Sequence, residues 1–288
     1  MGLMRMAGLG IYEKALPKGI SWLERLTMAK ELGFDFVEMS IDETDERLSR
    51  LDWTQAKIDA VKQAIGITGV GIYSICLSGH RRFPFGSSDP YKRKAALDMM
   101  DKAIGLAVDL GVRNIQLAGY DVYYEDKTPL SREYFIENLS KSVQMAASKQ
   151  VMLSLEIMDD PFLNSISKFN KLKKQIPSPW LQVYPDIGNL SAWPENDVNY
   201  ELELGLPSIA AIHLKDTIRV SKEFPGKFKE VPWGEGDVDF LGTLKTLKRI
   251  GYEGTFLLEM WSENEENPLL AIEEAKQFIL PILKEAGY

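Results

Sequence analysis

A short apolar run followed by a longer helix-like stretch recurs eight times along the chain, and this alternation limits the available folds more than any other feature. The apolar runs are Leu9–Tyr12, Phe36–Ser40, Gly71–Leu77, Asn114–Ala118, Met152–Met158, Leu181–Pro185, Ile209–Leu214 and Thr255–Met260. Helices are expected over Ser21–Leu32, Thr54–Ala64, Tyr91–Leu110, Ser131–Ser148, Ser165–Lys174, Val198–Leu204, Phe240–Ile250 and Pro268–Glu285. Ser21 can cap the first helix, and Gly33 and Gly111 follow helix ends where a left-handed residue is wanted. Strands joined through helices pair in parallel with right-handed crossovers. Eight such units take about 250 residues when the sheet closes into a (β/α)8 barrel, and the chain has 288. One α/β domain over 1–288, a TIM barrel, is therefore expected. An open doubly wound sheet is the competing architecture. No linker, low-complexity tract or composition break divides the units.

The bulk numbers narrow the function. A hydrophobic share of 45% is enough for a substantial core. A net charge of −8 argues against nucleic acid, which attracts basic surfaces. The single cysteine excludes an intramolecular disulfide and fits a reducing cytoplasm. Its place in the third strand predicts that Cys76 is a buried, inert thiol. No run approaches the ~20 apolar residues of a membrane span. Met1–Ala7 lacks the apolar core and cleavage site of a leader, and Met6 stands where a myristoylation signal wants Ser or Thr. A cytoplasmic protein without a membrane partner is expected.

Each of the last four strand-like runs has a polar residue at or beside its carboxyl end: Glu156, Asp186, His213 and Glu259. Carboxyl ends of adjacent parallel strands lie on one face, where barrel enzymes build their sites. A lone carboxylate at a strand end is more often a helix cap or a salt-bridge partner. Three of them with an imidazole, on successive strands, point to a divalent cation. The oxygen-rich set suits Mn²⁺ first, with Mg²⁺, Zn²⁺ or Co²⁺ as alternatives. Such an ion, chelated by the carbonyl and hydroxyl of a ketose, would acidify the adjacent C–H and stabilise an enediolate. The long stretches His80–Pro90 and Asp216–Val238 are expected as loops on the same face. His80, Arg81 and Arg82 offer donors matched to a phosphate, with Ser78 or Ser87 assisting. Asn189, Ser191 and Lys215 are further substrate-binding candidates. Trp193 and Trp261 either wall the pocket or pack the core, and Tyr12 and Glu13 are weaker candidates.

Several longer motifs carry a family resemblance. They are the stretch from Ser78 to Ser87 (SGHRRFPFGS), Leu155–Asp159, Tyr184–Trp193 with its PDIGNLSAW core, His213–Thr217, Gly234–Phe240 and Leu258–Glu263. On these the chain resembles the xylose-isomerase-like barrels. Within them it is similar to the bacterial L-ribulose-5-phosphate/L-xylulose-5-phosphate 3-epimerases, a group with hexulose-6-phosphate isomerase-like members. The resemblance implies one metal ion on Glu156, Asp186, His213 and Glu259. It implies that Glu156 and Glu259 are the catalytic pair, on opposite faces of C3. One would remove the C3 proton to give a metal-bound cis-enediolate, and the other would return a proton and invert the centre. It also implies that Arg219 contacts substrate oxygens or a metal-bound carboxylate, that the substrate is a small sugar phosphate of an ascorbate-type L-sugar pathway, and that two copies form a homodimer. An aldose–ketose or hexulose phosphate isomerase on the same metal is the main alternative. Apurinic endonucleases share the topology but need three zinc ions on many histidines, and this chain has two histidines. A non-catalytic sugar-phosphate binder would not need both glutamates.

Overall fold

The computed structural model describes residues 8–288. The segment 1–7, expected to hold neither a leader nor a lipidation signal, lies outside the described residues. Eight strands form one sheet: β1 (Leu9–Tyr12), β2 (Phe36–Ile41), β3 (Gly71–Leu77), β4 (Asn114–Ala118), β5 (Met152–Glu156), β6 (Leu181–Tyr184), β7 (Ile212–Leu214) and β8 (Phe256–Leu258). Their order is β6-β5-β4-β3-β2-β1-β8-β7, with every ladder parallel. The two ends of this row meet through single parallel bridges, Val183 with Ile209 and Asp186 with His213. The Ala210 N–H donates to Val183 O and the His213 N–H to Pro185 O, each at 2.9 Å. The sheet is thus closed into a barrel by a thin seam between β6 and β7. Among the described residues, no helix is long and apolar enough to cross a membrane.

The covering helices are α1 (Trp22–Glu31), α2 (Asp45–Leu48), α3 (Gln55–Thr68), α4 (Pro90–Leu110), α5 (Pro129–Ser148), α6 (Ile166–Lys173), α7 (Ile187–Ala192), α8 (Val198–Gly205), α9 (Phe240–Arg249) and α10 (Pro268–Ala286). Ser21 caps α1 as expected and forms a reciprocal capping box with Glu24. α5 begins earlier than Ser131. Thr128 is its cap, Pro129 opens it, and Ser131 is the third-position partner of a capping box. β5 stops at Glu156 rather than Met158, and β7 and β8 are only three residues each. α2 and α7 were not expected. α7 exists because the Asp186 carboxylate accepts the Asn189 N–H at 2.9 Å and so starts a helix directly after β6.

The strands are buried nearly throughout, as they must be with helices outside and side chains filling the barrel. The filling is not wholly apolar. Glu38, Ser74, Gln116 and Ser154 are fully buried on β2 to β5. Just past β1, Glu13 accepts both terminal nitrogens of Arg50 at 2.6 Å and lies 3.1 Å from Arg47. Burial would raise the Glu13 pKa, but the arginines outweigh it and lower it. Glu13 is an anchor for the loops after β1 and β2.

Gly188, in the first turn of α7, presses against the strand beyond β7. A Cβ there would stand 2.7 Å from Lys215 O and 2.8 Å from Thr217 Cγ2. Gly188→Ala is expected to destabilise the fold by about 1–3 kcal/mol through overpacking. Gly105→Ala, inside α4 with nothing within 4 Å of the new methyl, is expected to stabilise it by about 0.5–1 kcal/mol. Urea unfolding of the two variants checks both signs.

Candidate functional site

The carboxyl ends of the last four strands converge. One ligand atom from each of Glu156, Asp186, His213 and Glu259 lies within 4.8 Å of all the others, and all four residues are buried. Glu156 closes β5, Asp186 sits two residues past β6, His213 is central in β7, and Glu259 immediately follows β8. The seam bridge couples Asp186 directly to His213. The Glu259 N–H is held by Leu214 O at 3.0 Å, which fixes the last member against β7.

Buried charge of one sign must be offset, and two cations do so here. Lys215 Nζ lies 2.7 Å from Asp186 Oδ2 and 2.9 Å from Glu259 Oε2. His213 Nδ1 lies 3.2 Å from Glu156 Oε1 and 3.9 Å from Glu259 Oε1. Its Nε2 faces Glu38 Oε1 at 2.9 Å, and the Gln116 amide donates to Glu156 Oε2. Burial would lower the His213 pKa, but Glu38, Glu259 and Glu156 raise it well above the ordinary histidine value. Burial raises the Asp186 pKa to about 8, helped by Glu259 and Glu156 against Lys215. Burial also works to raise Glu259, yet Lys215 and His213 hold it down at about 2. Glu156 is pushed up, first by burial and then by Glu259.

The donor set fits a hard divalent cation. Three carboxylates and an imidazole bring their ligand atoms close together, a composition suited to Mn²⁺, Mg²⁺ or Zn²⁺. Asp186 Oδ2 is buried without a hydrogen bond of acceptable geometry, despite its ion-pair contact with Lys215. An oxygen so placed is available to an ion.

A cavity of about 300 Å³ opens above the cluster. Ser78, Arg81, Asn189, Lys215, Glu156 and Glu259 line it, as do Tyr12, Lys14, Lys229 and Trp261. An adjoining hollow of about 440 Å³ shares Lys215, Glu230, Glu259 and Trp261 with it. Lys215 and Lys229 approach the Trp261 ring at 5.4 and 5.1 Å, and Arg81 lies 5.5 Å from Tyr120 and 5.0 Å from Tyr123. The Asn189 amide donates to Ile157 O at 2.8 Å, while its own oxygen is buried and unpartnered. Cys76 is buried at the cavity wall, where burial and Glu38 raise its pKa, as an inert thiol requires.

Several candidates are not brought to this cavity, among them Glu13, Ser87 and Ser191. His80 turns into the core, stacks on Phe85 at 4.2 Å and places Nε2 3.3 Å from Ala96 O. Arg82 points outward and pairs with Asp45 at 2.6 Å. Arg219 is exposed, with its N–H held by Asp237 Oδ2 at 2.8 Å. Trp193 packs on Phe228 and donates to Met158 O at 3.3 Å. Conversely, Glu38, Gln116, Lys14 and Lys229 belong to the site and were not anticipated. Glu38 and Gln116 carried a usable signal, since each is a long polar side chain in the middle of a buried strand. Lys229 carried none, being one of several lysines in a long loop.

His80 supplies a test independent of the cluster. Burial lowers its pKa from 6.5 to about 4. Between those values the unfolded chain takes up a proton that the folded chain refuses, so stability falls as pH drops through this window. His80→Gln is expected to lose roughly 2–3 kcal/mol less than the wild type between pH 7.5 and pH 4, measured by urea unfolding at both pH values. Its substrate KM is expected to stay unchanged.

Residues 26–282 match the family model described as xylose isomerase-like TIM barrel. Over 285 residues the chain is 58% identical to SgbU of Escherichia coli (strain K12), with 99% of each chain covered. It is 53% identical over 285 residues to L-ribulose-5-phosphate 3-epimerase UlaE of Salmonella heidelberg (strain SL476), covering 99% of this chain and 98% of the relative. The crystal structure of the IOLI protein with a zinc atom shares the fold, at a TM-score of 0.78 and 14% identity, covering 97% of this chain and 99% of that one. The eight-stranded closed sheet, the convergent strand ends and these matches agree: the chain belongs to the xylose isomerase-like TIM barrel family, in the branch that holds SgbU and the L-ribulose-5-phosphate 3-epimerase UlaE.

Proposed function

We propose that this protein is an isomerase that epimerises a ketopentose phosphate at C3, interconverting L-ribulose 5-phosphate and L-xylulose 5-phosphate. The observation that carries the reading is the meeting of Glu156 and Glu259 with Asp186 and His213, the two glutamates also lining a cavity that Lys14, Arg81, Lys215 and Lys229 share. The name of the relative UlaE supports the choice of substrate.

A divalent ion on Glu156, Asp186, His213 and Glu259, Mn²⁺ by preference, would supply Lewis acidity at the ketose carbonyl and so acidify the C3–H. Glu156 and Glu259 enter from β5 and from the end of β8, so they approach a bound sugar from different sides. One takes the C3 proton, and the electron pair left behind moves toward the C2 oxygen as an enediolate. The other delivers a proton to the opposite face, and C3 is inverted. One carboxylate gains a proton and the other loses one, and exchange with water at the cavity mouth resets the pair. Lys215 holds Glu259 as a carboxylate and, with Asn189, faces the sugar hydroxyls. Arg81 and Ser78 receive the phosphate, and Lys229, over Trp261, adds positive charge. Tyr12 and Trp261 keep bulk water from the reacting carbon. The reading extends to one barrel domain, working as a homodimer in the cytoplasm on ascorbate-type L-sugars.

Incubation with L-ribulose 5-phosphate and Mn²⁺ in D₂O, followed by removal of the ion and NMR, tests the reaction. Deuterium at C3 with inversion is expected, and deuterium at C1 would instead mark an aldose–ketose isomerase. Glu156→Gln and Glu259→Gln should each lower exchange by about 10²–10⁴-fold, and full activity in both would refute the scheme. Metal loading should also stabilise the fold. At a hundred times Kd the gain is about 2.7 kcal/mol, a rise in Tm on the order of 5 °C. Chelator should reverse it, and Asp186→Asn should largely abolish it.

A further inference from the structure

The buried glutamate of β2 is unused by the scheme above, yet it touches the site's only histidine. Glu38 Oε1 lies 2.9 Å from His213 Nε2, reaching from β2 to β7 across the inside of the barrel. Its other oxygen, Oε2, accepts from Ser74 Oγ on β3. Glu38, Ser74 and His213 have no solvent exposure. The imidazole is further fixed by Tyr184, whose ring lies 4.4 Å away at an interplanar angle of 52°. The opposite nitrogen, Nδ1, is the one that faces Glu156 and Glu259.

A neutral imidazole has one N–H and one lone pair, and the partner of the N–H decides which nitrogen keeps the lone pair. A carboxylate on one side directs the proton there, leaves the other nitrogen free and raises its basicity. We infer that Glu38 is the positioning residue of the site: it takes the Nε2–H of His213, so that Nδ1 is the nitrogen presented to the cation. Ser74 in turn fixes the Glu38 carboxylate. The inference rests on the metal-site reading above and adds the tautomer, the ligating nitrogen and the residue that sets both.

The chain has two histidines, so ¹⁵N-histidine NMR of the full-length protein shows two imidazoles, with buried His80 as an internal reference. Zinc is the probe, because it is diamagnetic. In the Zn²⁺-loaded wild type, His213 is expected to carry its proton on Nε2 and to shift at Nδ1. Glu38→Ala should weaken Zn²⁺ binding by about 10–100-fold in competition with a chelator and should blur the single tautomer. Glu38→Gln keeps the shape and one acceptor oxygen but loses the charge. It should fold like the wild type, keep the tautomer and bind Zn²⁺ with intermediate affinity. A purely structural role for Glu38 would lower the Tm of the metal-free variants and leave affinity and tautomer unchanged. Zinc held through Nε2, or equal affinity in wild type and both variants, overturns the inference while the metal site stands. A wild type that binds no Zn²⁺ or Mn²⁺ overturns the metal site itself, and this inference with it.

Discussion

The structure turns on one electrostatic problem: acidic groups gathered where water is scarce. Glu38, Glu156, Asp186 and Glu259 are all buried at the carboxyl ends or interior of the strands, and His213 and Lys215 are the buried cations set among them. An ionised carboxylate in an apolar interior is costly unless it is paired and hydrogen-bonded. Each acid here has such a partner. Glu38 has His213 and Ser74, Glu156 has His213 and Gln116, and Asp186 and Glu259 share Lys215. The acids still outnumber the cations. That excess is what a dication would offset under the proposed function, and the pairing explains polar side chains at barrel positions that packing alone would fill with valine or leucine.

The loops that frame the cavity are fixed by the same means. Asp216, next to Lys215, collects the N–H groups of Thr217, Gly234 and Gly236 within 3.0 Å on its carboxylate. One buried side chain thus gathers both ends of the long segment after β7. On the other side of the mouth, Arg47 bridges Glu13 and Glu263, and so links the turn after β1 with the segment after β8. The lysines and tryptophan that line the cavity ride on these anchored loops. Their positions are therefore tied to the carboxylates of Glu13, Asp216 and Glu263.

Much of this was legible in the chain itself. The eight units and their order follow from the alternation of apolar and helical stretches, and the four convergent residues follow from their places at strand ends. Both signals are local and repeated. Boundaries were less certain where a side chain decided them. β5 ends where Glu156 must turn inward, and α7 starts because Asp186 caps it. His80, Arg81 and Arg82 show the limit most clearly. They are consecutive, yet one faces the core, one the cavity and one the solvent. Composition marked the segment, but only the short turn after β3 decides which member points where. Glu38 was missed for a different reason. Attention to strand ends passes over an acid in mid-strand, although a charged residue inside a buried strand always needs an explanation.

The seam between β6 and β7 bears on how the molecule comes into being. Two isolated bridges close the barrel there, and one of them joins Asp186 to His213. A nascent polypeptide emerging from the ribosome as far as α7 already holds Glu156 and Asp186 but lacks His213 and Glu259. Only when the final pair of strands docks across the gap are all four groups assembled. Under the proposed function, the full set of ligands for an ion would exist only once β7 and β8 are in place.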